Sequence, residues 1–332
     1  MHRSLAALLL TTSLLSCAAQ SAQGQLAPSP SVPGQPPTLS TSRLVFSGVK
    51  TTTAPAQTAV LQNTSGGPLR VGALTLDGPD AAAFVLSSSP ALPLTLETGQ
   101  TLSLAFTFSP QGKVGVLRAR LSVTFAGTGA LSPLILPLSG LSTEYEQGEG
   151  EPPLARVVQA LGYSTDVGGS QLLLGTSAPL LGQELAAPLF RKVGSGPVSL
   201  RPVARYSPDD LLSFGFFTFR GGEAVLSPVG VIARHQEQTL NPALDSGATT
   251  FDPASEPFGI YTGPSAYSPT NDYSLDRLNT GPTRHAMRVY PLFSEDGQPL
   301  PGYLLANEAS SNGDYQDAVF VLTGAEALPS SP

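Results

Sequence analysis

Leu102-Ser103-Leu104-Ala105-Phe106-Thr107-Phe108 places a large apolar side chain at every second position. That is the period of a strand with one face in a core and the other in solvent. Ala119-Arg120-Leu121-Ser122-Val123 repeats the alternation downstream. Upstream, Leu44-Val45-Phe46, Thr58-Ala59-Val60-Leu61 and Leu69-Arg70-Val71 read as further strands, the last two joined through the turn Asn63-Thr64-Ser65-Gly66-Gly67-Pro68. About seven short strands in roughly a hundred residues predict a sandwich of two antiparallel sheets.

Composition extends that reading to the whole chain. Its 332 residues suffice for two domains, only 12% of them are charged, and 34 glycines and 32 prolines punctuate the sequence. Helix-rich domains carry more Glu, Lys and Arg on their faces, so the expected class is all-β. Beyond the first sandwich, Val198–Tyr206, Leu211–Phe219, Val225–Ala233, His285–Leu292, Tyr303–Ala306 and Ala318–Leu322 read as strands of a second, jelly-roll-like β sandwich. Ala318–Leu322 is apolar at every position, as a strand covered on both faces would be. Phe214-Gly215-Phe216-Phe217-Thr218 and Phe258-Gly259-Ile260-Tyr261-Thr262 echo one another and predict strands in related positions.

The remaining segments organise these two units. Residues 1–16 read as a signal peptide, with a basic start and an apolar run from Leu5 to Leu15. Residues 17–42 are Pro-, Ser-, Gln- and Ala-rich, a flexible tether. An immunoglobulin-like domain is expected over 43–142 and an acidic linker, with four glutamates and Pro152-Pro153, over 143–153. The C-terminal sandwich is expected over 154–328, and 329–332 form a tail. The apolar run is about half of what a membrane span needs.

Charge is divided unevenly. Residues 17–142 hold six basic and three acidic side chains, net +3; residues 143–332 hold ten and twenty-one, net −11. Nucleic acid is therefore not an expected partner, since phosphate binding needs a basic face.

The only cysteine, Cys17, follows Leu14-Leu15-Ser16. That context resembles the lipobox of bacterial lipoproteins, which implies removal of residues 1–16, lipidation of Cys17 and attachment to a membrane at the cell envelope. Ala19-Gln20-Ser21 offers an ordinary secretory cleavage site instead, which would leave a soluble exported protein.

Leu61-Gln62-Asn63-Thr64, Leu76-Asp77-Gly78-Pro79-Asp80, Phe84-Val85-Leu86, Leu96-Glu97-Thr98-Gly99-Gln100, Phe108-Ser109-Pro110 and Pro137-Leu138-Ser139-Gly140 occur in that order. The series resembles the immunoglobulin-like repeat of the ASPM/SPD-2/hydin type, whose bacterial members are labelled choice-of-anchor. It implies a spacer or adhesive module without catalytic residues. Val203-Ala204-Arg205-Tyr206-Ser207-Pro208-Asp209, Phe251-Asp252-Pro253, His285–Pro291 and Asn312-Gly313-Asp314-Tyr315-Gln316-Asp317 are similar to an uncharacterised C-terminal domain of bacterial exported repeat proteins. That resemblance implies exposure on the cell envelope.

Four groups could carry chemistry. Glu308, Asn312, Asp314 and Asp317 surround Gly313; they offer oxygen ligands for a structural calcium, or form a solvated turn at Asn312-Gly313. Tyr261, Tyr267, Asn271, Asp272 and Tyr273 fall in a Gly/Pro/Ser/Asn-rich stretch, a mixture that suits sugar binding or ordinary packing. Asp245-Ser246-Gly247 resembles the active-site loop of retroviral-type aspartic proteases, but Asn241 and Pro242 precede it where an apolar strand is required; it reads as a turn. His235 and His285 are the two histidines beyond the signal segment, and no Gly-x-Ser-x-Gly or His-Glu-x-x-His motif accompanies them.

The expectation is a non-catalytic envelope lipoprotein with an adhesion or scaffolding role. Its C-terminal domain would bind glycan or a protein partner, with no cofactor beyond the candidate calcium. The alternatives are a hydrolase acting on envelope polymers, for which a pocket joining His235 or His285 to a carboxylate and a serine would speak, and a purely architectural spacer.

Overall fold

The structure, a computed structural model, describes residues 35–88, 90–127, 131–146, 148–175 and 179–328. Cys17, the signal segment and the tail lie outside the described residues. The protein is all-β, with one α-helix, of eight residues, among the described residues.

The N-terminal sandwich contains β1 (Thr38–Leu39), β2 (Leu44–Val49), β3 (Ala54–Gln62), β4 (Leu69–Asp77), β5 (Phe84–Leu86), β6 (Leu94–Leu96), β7 (Thr101–Phe108), β8 (Gly115–Phe125) and β9 (Leu134–Thr143). One sheet has the order β1-β3-β7-β5, the other β2-β9-β8-β4-β6, with β2 and β9 parallel. The 63–68 turn therefore carries the chain from one sheet to the other rather than closing a hairpin. Asn63 holds that turn, its Nδ2 donating to the carbonyls of Gly67 (2.9 Å) and Leu96 (2.8 Å). Leu104, Phe106 and Phe108, the alternating residues of β7, are fully buried. Phe108 sits beside Phe46 and Phe84, with ring centroids 5.9 and 5.1 Å away. Gly140 is required there, since a Cβ on it would lie 2.2 Å from the Phe108 ring. The expected tether ends earlier than its composition suggests: Pro37 is buried and β1 pairs with β3.

The C-terminal unit opens with α1 (Leu154–Leu161) and continues through β10 (Leu189–Lys192), β11 (Val198–Arg205), β12 (Leu212–Arg220), β13 (Glu223–Ile232), β14 (Thr239–Leu240), β15 (Leu244–Gly247), β16 (Thr250–Phe251) and β17 (Gly259–Thr262). β18 (Asp272–Tyr273), β19 (Met287–Phe293), β20 (Pro299–Asn307), β21 (Ala318–Thr323) and β22 (Ala325–Leu328) complete it. One sheet runs β14-β11-β21-β20-β19, with β16 also on β11; the facing sheet runs β15-β13-β12-β17-β18. The expected two-sheet sandwich is present, with local hairpins β12–β13 and β19–β20–β21 inside each sheet.

The two echoing segments are direct antiparallel neighbours. Phe217 lies opposite Gly259 and Gly215 opposite Tyr261. A Cβ on Gly259 would lie 2.2 Å from the Phe217 ring, and one on Gly215 would lie 2.8 Å from that of Tyr261. Each aromatic ring covers the glycine across from it, which fixes the register.

β21 explains its uniform apolarity. Ala318, Phe320 and Leu322 face the core between the two C-terminal sheets. Val319 and Val321 face a second core containing Leu154, Val157 and Val158 of α1 together with Val45 and Leu141 of the N-terminal sandwich. The 143–153 segment thus does not hold the units apart: they share a seam. α1 is the wedge in that seam, stopped at Gly162 in the left-handed conformation (φ 83°). A side chain at Gly162 would meet the Arg43 guanidinium at 2.5 Å. Arg43 pairs with Glu295 across the seam, and Arg118 Nη1 lies 3.0 Å from the same carboxylate.

Candidate functional site

A groove of about 850 Å³ opens between the two sandwiches. Thr41, Arg43 and Val45 come from the N-terminal unit; Tyr163, Arg201, Asn241, Glu295, Asp296 and Leu300 line the rest. Arg201 Nη1 donates to Asn241 Oδ1 at 2.9 Å, which holds the β11 wall to the loop after β14. Charges of both signs and apolar side chains therefore face one open space. None of these residues was singled out from sequence, because the two walls are more than a hundred residues apart in the chain.

The serine–histidine–carboxylate combination does occur, in a smaller pocket of about 270 Å³ lined by Glu184, Ser274, Asp276 and His285. Its hydrogen bonding does not suit hydrolysis. His285 Nε2 lies 2.8 Å from Glu184 and Nδ1 lies 3.0 Å from Asp276, so both nitrogens serve carboxylates, the pattern of a protonated ring. Burial alone would lower the His285 pKa; the hydrogen bonds to Asp276 and Glu184 raise it to about 9. An imidazolium at neutral pH has no free lone pair with which to act as a base. Ser274 Oγ donates to Pro188 O (2.7 Å) and accepts from Ile260 N (3.0 Å). The constellation is a clamp that ties the loops before β10 and β19 together.

Arg288 completes the clamp. It is fully buried, pairs with the other oxygen of Glu184, donates to Leu173 O and stacks 4.6 Å over the Tyr315 ring. Tyr315 in turn donates to His285 O at 2.6 Å. Glu184 and Arg288 were missed by the sequence analysis; the three-residue spacing of His285 and Arg288 was its one local trace. The arginine of the Val203–Asp209 signature is also held structurally. Arg205 is fully buried, donating to Ser207 Oγ (2.9 Å), Asp210 O (2.7 Å) and Ala233 O (3.1 Å), and pairing with the Asp210 carboxylate.

The acidic loop does not assemble the expected ligand set. Glu308 Oε2 accepts from Gly313 N (3.0 Å) and Tyr315 N (3.1 Å), and Asp317 Oδ2 accepts from Ala309 N (2.7 Å). Those carboxylates brace the β20–β21 connection. Asn312 donates to Asp314 at 2.8 Å. Asp314 alone of the four keeps a buried oxygen, Oδ1, without a partner.

The aromatic set is likewise dispersed. Tyr261 and Asp272 are buried, and Asp272 accepts from Ser268 (3.1 Å) and Asn307 (3.3 Å). Asn271 donates to the Tyr273 hydroxyl, and the Tyr273 ring packs on Phe217. Only Tyr267 of the five is well exposed. No sugar-stacking platform forms among them, because the Tyr261 and Tyr273 rings lie on the sheet face away from the inter-sheet core and pack against each other, Tyr273 also against Phe217.

Asp245-Ser246-Gly247 is an exposed edge strand on β13, not the expected turn. Asp245 is exposed and falls at the bulge between the Ser246 and Leu244 pairs. His235 is exposed, with Nδ1 3.1 Å from Asp209, and Glu237 brings a third ligand atom within 4.8 Å of both.

The clamp and the buried acids set a pH dependence. Burial raises Asp272 to about 6 and, with Glu308 and Glu151 adding repulsion, Asp314 to about 7; Asp317 is also pushed well up by burial. A carboxyl raised in the folded state contributes stability at acid pH that is lost as pH climbs through that raised value. His285, raised as well, contributes stability that is complete below about 6.5 and lost as pH rises through about 9. Thermal melting in chelator is therefore expected to fall continuously from pH 5 to 9.5, with His285→Gln flattening the limb above pH 7. A maximum near pH 8 would contradict this assignment.

No family model and no curated protein matches the chain. Solved structures with some similarity include the YadV chaperone, at 10% identity over 88% of this chain and 99% of that one, with TM-score 0.27. The periplasmic chaperone SfaE matches at 10% identity over 68% and 91%, with TM-score 0.26. The E. coli chaperone DraB matches at 14% over 72% and 91%, with TM-score 0.25. Likeness at this level carries no argument about what the protein does.

Proposed function

We propose that the protein is a non-catalytic, lipid-anchored protein of the cell envelope whose inter-sandwich groove holds a segment of a partner protein. The groove carries this reading. Its walls come from two sandwiches whose shared apolar seam fixes their separation. A cleft preformed in this way spares a ligand the cost of organising it.

Its lining favours polypeptide over glycan. Arg43, Arg201, Glu295 and Asp296 present both signs of charge, and Val45, Leu161 and Leu300 supply apolar contact. Neutral sugars would be expected to meet stacked aromatic rings, and Tyr163 is the single ring in the lining. The lipobox-like context of Cys17 supports the anchor, and the serine and histidine of the smaller pocket give a hydrolase no support.

A photo-crosslinking amino acid at Leu300, in the groove, is expected to yield a discrete protein adduct in the producing cell's envelope. The same group at Val225, exposed on the β12–β13 hairpin, should yield none. Equal labelling at both positions, or a glycan-array signal abolished by Arg201→Ala, would replace this reading with a spacer or a lectin.

A further inference from the structure

The seam contains a second polar centre, outside the groove lining. Glu151, from the segment joining the two sandwiches, is reached by Gln238 Nε2 at 2.6 Å and Gln316 Nε2 at 3.2 Å. Gln316 Nε2 also donates to Asp314 Oδ2 at 2.7 Å, so its amide sits between the two carboxylates. Gln316 is fully buried, and its Oε1 has no hydrogen-bond partner. Asp314 Oδ1, Gln238 Oε1 and the hydroxyl of fully buried Tyr206 are also buried without partners. Three of these four orphans are carboxylate or amide oxygens.

Charge points the same way. Glu151, Glu308, Asp314 and Asp317 repel one another, and none of them forms an ion pair among the described residues. Nearby arginines are committed elsewhere: Arg205 to Asp210 and Arg288 to Glu184. A half-buried group of carboxylates and amides that keeps three oxygens without donors, and whose acids form no ion pair among the described residues, matches the preference of hard divalent cations for oxygen ligands.

We propose that Glu151, Asp314, Gln316 and Gln238 form a hard-cation site of the calcium class at the seam between the two sandwiches. Asp314 is the one ligand shared with the candidate set singled out from sequence; Glu308 and Asp317 hold backbone amides around it. Glu151 belongs to the inter-domain segment, whereas the other three belong to the C-terminal unit. Metal binding would therefore fasten the connecting segment to the C-terminal sandwich. The site does not rest on the groove reading, and loss of metal binding would leave the crosslinking result unaffected.

The chain lacks tryptophan, so tyrosine is its main sensitiser for bound terbium, and Tyr206 is close enough to Glu151 to feel its charge. The full chain, stripped with chelator, is titrated with terbium and then with calcium under tyrosine excitation, and its melting is followed in parallel. The expected result is one saturable terbium site displaced by calcium, together with a higher melting temperature in calcium. Glu151→Gln and Asp314→Asn should each weaken it about 10-fold or more, whereas Asp209→Asn, in the exposed His235 cluster, should not. Removing a charge from a repelling group relieves strain, so these variants are expected to fold. Absence of a saturable wild-type site would overturn the proposal, as would binding that survives Glu151→Gln or is lost with Asp209→Asn.

Discussion

Replacing Arg288 by alanine is expected to lower stability by about 3–5 kcal/mol, read from urea unfolding by circular dichroism. The guanidinium is fully buried and faces a Glu184 carboxylate that is almost fully buried itself. Removing it deprives Glu184 of its closest positive charge and Leu173 O of a donor, and it strips the stacked cation from Tyr315. A carboxylate left in that position has His285 as its remaining ionic partner. The double variant Glu184→Gln/Arg288→Met is expected to recover part of the loss, because it removes both charges while keeping volume. A cost below about 1 kcal/mol for Arg288→Ala would mean that the pair is solvated rather than buried.

Leu154→Ala tests the seam. Leu154 opens α1, is fully buried and packs in the core shared by Val45, Leu141 and Val319. Its backbone N–H donates to Asp314 O at 3.0 Å, so the helix start is fixed to the C-terminal unit while its side chain meets both. Truncation is expected to cost about 2–5 kcal/mol. The diagnostic effect is on cooperativity: one calorimetric transition in the parent should become two, as the sandwiches lose the surface that couples them. If the parent already melts in two steps, the seam contributes little to coupling.

The N-terminal sandwich was largely legible because its strands bury one face. Leu102–Phe108 and Ala119–Val123 alternate cleanly, and the structure buries the expected residues. The tether boundary was not, since Thr38–Leu39 is held by pairing with β3 and not by its own hydrophobicity. The candidate sites were read least well. Tyr261, Asp272 and Tyr273 were grouped by closeness in sequence and by a Gly/Pro/Ser/Asn-rich surround, yet they lie on paired strands whose register points them inward or against other rings. The acids at 308–317 were grouped as ligands, but their sequence does not show that two of them would be consumed by backbone amides.

What the sequence determined alone is whatever depends on local period: the all-β class, the positions of the longer strands, and the statement that Ala318–Leu322 must be covered on both faces. Alternation of side chains across a strand is a covalent property of the backbone, so it can be read from the chain. What covers the second face of that strand was decided only by tertiary structure. Leu154, Val45 and Leu141 reach Val319 and Val321 through a packing of two sandwiches that no short-range pattern encodes. The Glu184–His285–Arg288 clamp, the groove and the Glu151–Asp314 centre follow from the same packing. Each joins residues roughly a hundred or more positions apart, and their oppositely charged or oxygen-bearing groups acquire meaning only once burial removes the water between them.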